Sequence, residues 1–140
     1  MDLAPPGARH ARDESANSIM EERRVVITGI GVISPNGNDL TSFWDSMKNG
    51  RSGIDTITAL DCEPYSCKIA GEVRDFDPKG FYKNPKDARR SDRYTHLAIA
   101  ASKMALEDSG MDPAGVDKHR VGVMVGSGIG GLQTLSLIHI

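Results

Sequence analysis

The sequence is poor in cysteine, in aromatic residues and in long apolar runs, and neither sign of charge is in excess. Each shortage excludes a class of protein. The two cysteines, Cys62 and Cys67, lie five apart in "DCEPYSC". A disulfide scaffold needs an even set of about four or more, and a structural zinc site needs closer spacing and a second ligand pair. We read them as ordinary reduced thiols in a cytoplasmic protein, although the spacing alone permits a local disulfide. Lysine and arginine number 17 against 19 aspartate and glutamate, a net charge of −2, so no global field favours nucleic acid. No apolar run approaches the ~20 residues that span a bilayer, and the opening stretch lacks the apolar centre of a signal peptide. What is present, 39% hydrophobic and 26% charged residues in a chain of 140, suits one globular domain.

Both ends read differently from the middle. Residues 1–19, "MDLAPPGARHARDESANSI", combine Pro-Pro, glycine and mixed charge without a period, and are expected to be a disordered N-terminal extension. Asp2, Asp13 and Glu14 argue against a transit peptide, which is poor in acids. Met20 is a candidate natural start. The last six residues, "LSLIHI", have no helix-forming polar face and no cap. They reverse-translate to CTG-TCT-CTT-ATA-CAC-ATC, a string resembling the transposon-end adaptor of sequencing libraries. Residues 135–140 are therefore expected to be non-native, with the genuine reading ending near Thr134 and the gene continuing. Residues 20–134 remain as the folded part.

Within that part, "RVVIT" (24–28) is a β-branched run bounded by Gly29 and Gly31, which predicts a strand buried on both faces, the habit of parallel sheets. "SPNGN" is a turn, and Asn38 is the expected N-cap of a helix near Asp39–Lys48. Leu40, Phe43, Trp44 and Met47 recur at i, i+3, i+4, i+7 and predict one buried face; Asn49-Gly50 ends the helix. Prolines and glycines make 51–92 irregular, with "KIAGEV" as a short strand. A second helix, about Asp92 to Ser109, carries a stripe of Tyr94, Leu97, Ala98, Ala101, Met104, Ala105 and Asp108. Its alanines leave room for a close neighbour, and Gly110 stops it. A strand at Val121–Val125 follows. The order β, α, insert, α, β predicts an α/β fold with a parallel sheet.

Two glycine segments raise a phosphate question. In "VGVMVGSGIGG" (121–131), Gly126, Gly128 and Gly131 fit G-x-G-x-x-G directly after a strand, where a dinucleotide pyrophosphate would lie. Such a site also needs a following helix and an acid ~20 residues on, both expected past Thr134, so the motif stays open between a cofactor loop and a structural turn. In "TGIGVISPNG" Gly29 and Gly31 fit, but Ser34 takes the third position. The basic stretch "KNPKDARRSDR" places Lys86, Arg89 and Arg90 at i, i+3, i+4, one face of a helical turn. Most charge runs of this kind are simply solvated.

Taken together, "RRVVITGIGVISPNG", "W…NGRSGI", "AGEVRDFDP", "DRYTHLAIAASKMALEDSG" and "VGVMVGSGIGGL" resemble the start of the β-ketoacyl-acyl-carrier-protein synthases, nearest to the synthase II type. Each motif alone is weak. Their unbroken order from about Glu22 to Leu132 is specific. Two positions depart from the family pattern: Asn36, where an apolar residue is usual, and Ser91, where methionine is common.

The resemblance implies a thiolase-like layered fold of two α/β halves, paired as a homodimer, of which this chain supplies the opening elements of the first half. It implies decarboxylative condensation of acyl groups with malonyl units, both held on acyl carrier protein, with no cofactor and no metal. The nucleophilic cysteine and two histidines of that family fall later than this chain extends, so no catalytic residue is expected here. Cys62 and Cys67 do not match the nucleophile's motif. His10, His96, His119 and His139 are expected to be structural or solvated. The resemblance makes Ile129, within "GSGIGG", an acyl-pocket residue at the dimer interface. It makes Lys86, Arg89 and Arg90 part of a carrier-protein patch. Two other readings remain: a polyketide-type ketosynthase or its non-catalytic chain-length-factor partner, and a nucleotide-binding oxidoreductase.

Overall fold

The computed structural model describes residues 24–139. The expected disordered head and Met20 lie outside the described residues, as do Ile140 and the side chains of Gln133, Ile138 and His139.

Helix α1 spans Leu40–Lys48 and starts where a carboxylate meets its first turn. The Ser42 amide donates to Asp39 Oδ1 at 2.8 Å and the Ser42 hydroxyl to Oδ2 at 2.9 Å. The cap is thus Asp39, one residue beyond the expected Asn38. These same bonds hold the Asp39 carboxyl below its ordinary value, the Ser42 amide contributing most. Asn38 is committed elsewhere, donating from Nδ2 to the Arg74 carbonyl at 2.7 Å. The helix ends at Asn49 and Gly50, the latter at φ 61°. Its apolar stripe lies open among the described residues: Phe43 is half-buried, while Leu40, Trp44 and Met47 are exposed.

The stretch expected to be irregular apart from a short strand in "KIAGEV" contains the one strand pair among the described residues, and β2 lies in that segment. β1 (Ile54–Thr56) and β2 (Ile69–Gly71) run antiparallel, with Ile54 opposite Gly71 and Thr56 opposite Ile69. Glu72, just past β2, holds the hairpin closed. Its carboxylate accepts from the amides of Thr58 (3.0 Å) and Ala59 (2.9 Å) and from the Thr58 hydroxyl (2.8 Å). Arg74 bridges to Asp55 at 2.9 Å across the same pair. After a 3₁₀ turn at Pro78–Phe81, helix α2 (Pro85–Ala88) begins, like that turn, on a proline, capped by Asn84 as the turn is by Asp77. Proline at the first helical position loses no hydrogen bond.

Helix α3 (Arg93–Ser109) is the longest element and ends, as expected, at a left-handed Gly110, φ 62°. Of the predicted stripe, Leu97, Ala98, Ala101, Met104 and Ala105 are half-buried, and Tyr94 and Asp108 are exposed. The fully buried residue is Ala100, which that stripe omits. The room left by the alanines is filled by backbone. A Cβ added to Gly31 would stand 1.9 Å from the Ala101 carbonyl oxygen, and one on Gly29 would stand 2.2 Å from that of Ala105. Between them, the Ile30 amide donates to Asp108 Oδ2 at 2.8 Å.

The residues expected as two parallel strands carry no strand pairing among the described residues, and Val25–Ile27 and Val121–Val125 are exposed throughout, up to 98% at Met124. The reason is physical. A segment apolar on both faces needs ladder neighbours and two covering layers, and the described residues supply neither. Helix α4 (Leu132–His139) follows the glycine loop, where the sequence predicted no helix. Leucine and glutamine are good helix formers, and the Leu135 amide donates to the Gly131 carbonyl at 2.9 Å where the helix begins.

Candidate functional site: the first turn of α3 and the glycine loop

The first turn of α3 reaches four different segments. Arg93 donates to the Val73 carbonyl at 2.6 Å, and its guanidinium lies over the Phe76 ring at 5.9 Å. His96 Nε2 lies 2.8 Å from the Ala88 carbonyl oxygen; since a carbonyl only accepts, Nε2 donates. The Tyr82 ring meets the His96 imidazole edge-on, centroids 5.7 Å apart. His96 is therefore a structural staple between α2 and α3, as expected. Asp92 stands at the N-cap position of α3, yet its side chain makes no capping bond there. It turns instead to the glycine loop, where the Thr134 hydroxyl donates to Oδ1.

The loop itself is shaped by its last two glycines. Gly130 and Gly131 adopt φ of 61° and 56°, the left-handed region that L side chains avoid. A Cβ on Gly131 would lie 2.8 Å from Asp92 Oδ2, and one on Gly130 would lie 3.2 Å from the Tyr94 ring. Gly126 and Gly128 meet nothing within 4 Å. Asp92, Arg93, Tyr94, Gly130, Gly131 and Leu132 enclose an open cleft of about 230 Å³. Ile129, at the tip, is 77% exposed.

This geometry decides the phosphate question. A helix does follow the loop, but a carboxylate occupies its entrance. A pyrophosphate there would face Asp92 at close range, where like charges repel and where dinucleotide sites place bare amides. The Gly29–Gly31 segment is equally unsuited, since its glycines lie flat against α3.

The basic residues sit on a firm base. Lys86 lies in α2, Arg89 is its C-cap, and Arg90 continues the same turn, its amide donating to the Asp87 carbonyl at 3.1 Å. All three are exposed, and none forms an ion pair among the described residues. Beneath them Ala88 is buried and its carbonyl is held by His96.

The two positions read from the sequence as departures, Asn36 and Ser91, are polar tethers. Asn36 Nδ2 donates to the Arg51 carbonyl at 2.7 Å, and Ser91 Oγ donates to the Asp87 carbonyl at 3.0 Å. Cys62 and Cys67 are free thiols in the β1–β2 connection, Cys67 exposed. His119 is exposed in a 3₁₀ turn at Lys118–Arg120; His10 lies outside the described residues, as does the His139 side chain. Among the described residues no helix is long and apolar enough to cross a membrane. Sequence reasoning missed Glu72 and Asp92. Asp92 was read only as the start of the second helix, and for Glu72 there was no signal beyond its motif.

A family profile described as "Beta-ketoacyl synthase, N-terminal domain" matches residues 22–138. A 3-oxoacyl-[acyl-carrier-protein] synthase 2 of Staphylococcus aureus (strain N315) is 44% identical over 119 residues, covering 85% of this chain and 28% of that protein. The tetracenomycin polyketide synthase ketoacyl synthase alpha subunit of Streptomyces glaucescens is 48% identical over 109 residues, 78% of this chain and 25% of that protein. Among solved structures, the ishigamide ketosynthase/chain length factor aligns with a TM-score of 0.59 at 38% identity, over 66% of this chain and 23% of that one. The chain therefore spans roughly a quarter of the length of these relatives.

Proposed function

The chain belongs to the β-ketoacyl synthase family, and from that premise we propose that the protein carrying it is an elongating condensing enzyme of the synthase II type. Its fold is the thiolase-like α/β class of its ketosynthase neighbour, of which the described residues form a part. The observation that carries the reading is the continuous match over residues 22–138.

In the proposed reaction an enzyme cysteine takes an acyl group from the carrier thiol by thioester exchange, releasing that thiol. Malonyl-carrier protein then loses CO₂. The electron pair left on its α-carbon forms the new C–C bond to the acyl carbonyl, and the cysteine thiolate departs. The cysteine and its two histidines are assigned to parts of the protein beyond this chain, so the 140 residues alone are inactive. This chain's share is shape and docking. Ile129 forms part of the wall of the acyl pocket at a homodimer interface; its high exposure here leaves it free to meet another surface. Lys86, Arg89 and Arg90 form an unpaired basic face for an acidic carrier protein, where complementary charge raises the encounter rate. The proposed setting is the cytoplasm.

The test is turnover by the full-length protein. Acyl- and malonyl-carrier proteins should yield a 3-oxoacyl product two carbons longer and one CO₂ per turn. Saturable NAD(P) binding without condensation would overturn the reading. A second reading is favoured by the 48% identity to the tetracenomycin subunit: a polyketide-type ketosynthase, or the chain-length-factor partner that keeps the fold without the cysteine. Repeated condensation to a poly-3-oxo product, or no condensation without a second subunit, would select it.

A further inference from the structure

The sequence assigns Asp92 to the start of α3, but its carboxylate serves another element. It makes no bond to the α3 amides, accepts from the Thr134 hydroxyl in α4, and stands where any side chain at residue 131 would collide with it. Tyr94, two residues on, closes over Gly130. The two glycines so confined are the pair with left-handed backbone, and Ile129 directly precedes them. The α4 entrance also gains from a negative charge, since the first amides of a helix have no partner within it.

We propose that Asp92 and Thr134 form a latch that fixes the Gly126–Gly131 loop, making Asp92 the positioning residue for Ile129. The latch joins the first turn of α3 to Thr134, within the part of the chain read as genuine, so the loop between Val125 and Leu132 is tied at its far end. Arg93 and His96, anchored to Val73 and Ala88, keep the α3 side of the latch still. The consequence for acyl-chain selection rests on the proposed role of Ile129 as pocket wall; the latch itself does not.

Hydrogen–deuterium exchange of the loop peptide in the full-length protein tests the latch directly. Asp92→Ala and Thr134→Val should each speed exchange of residues 126–132 about five-fold, the loss of one ordinary hydrogen bond. The double variant should show no further increase, because both changes break the same contact. Asp92→Asn, which keeps an acceptor for the Thr134 hydroxyl, should restore most of the protection, and Thr134→Ser likewise. Unchanged loop exchange in the single variants, or additive effects in the double variant, would overturn the proposal. The same variants assayed across acyl-chain lengths report on the pocket separately. Faster loop exchange with an altered kcat/KM profile supports latch and wall together. Faster exchange with an unaltered profile keeps the latch and removes the wall.

Discussion

The two glycine segments look alike on paper and do opposite things. Gly29 and Gly31 are needed for what surrounds them: carbonyl oxygens of α3 stand 2.2 and 1.9 Å from where a Cβ would be, while neither has positive φ. Gly130 and Gly131 are needed for their own backbone, at φ 61° and 56°. Gly126 and Gly128, the first two glycines of the dinucleotide pattern, show neither demand. A glycine motif is therefore explained by two measurements, the space for a side chain and the sign of φ, and not by spacing.

That contrast can be broken at several points. The largest effect is expected at Gly31→Ala. The obstacle is helix backbone, which no rotamer change relieves, so the full-length protein should lose about 3 kcal/mol of stability. Gly126→Ala in the same unfolding experiment should change it by under about 0.5 kcal/mol. Equal losses at both positions would erase the distinction. Gly131→Ala comes next, at roughly 1–2 kcal/mol for a left-handed alanine; Asp92→Gly in the same background should recover part of this, since it removes the colliding carboxylate.

Reversal of the basic face, with Lys86, Arg89 and Arg90 all changed to Glu, should raise KM for carrier protein about ten-fold at low salt and less at high salt, with stability unchanged. A salt-independent KM would remove the docking role. The smallest effect is at the hairpin. The Ala59 amide, with the amide and hydroxyl of Thr58, holds the Glu72 carboxyl down from 4.5 to about 2. A depressed folded value means the charged form favours the closed hairpin above pH ~4.5, and that this contribution is lost as pH falls from there toward 2. The Thr58 and Ala59 amide resonances should therefore shift together below pH ~4, and Glu72→Gln should abolish that titration. A midpoint at the ordinary value would contradict the contact.

Much of this was legible in the residues. The periodicities of α1 and α3 located both helices within a residue or two, and Gly110 marked the stop. The alanines at 101 and 105 announced a close neighbour, and the neighbour is the Gly29–Gly31 segment. What could not be read was long-range. Asp39 and Asn38 are equally good caps by type, and the choice was made by the Arg74 carbonyl, which claims Asn38 from 36 residues away. Helix α4 had no cap in the sequence to announce it, and the contact its Thr134 hydroxyl makes is with Asp92, 42 residues earlier. The segments at Val25 and Val121 were legible as apolar runs, but pairing depends on neighbours, and no local pattern supplies those.

In the proposed enzyme the glycine loop presents Ile129 to the acyl chain. The measurement that tests it most directly is the kcat/KM profile of the full-length Ile129→Phe variant over short and long acyl-carrier-protein substrates. Overfilling a packed wall costs about 1–3 kcal/mol, so long chains should lose roughly ten- to hundred-fold while short chains keep near-normal rates. A uniform change at all lengths, or none, would contradict the claim.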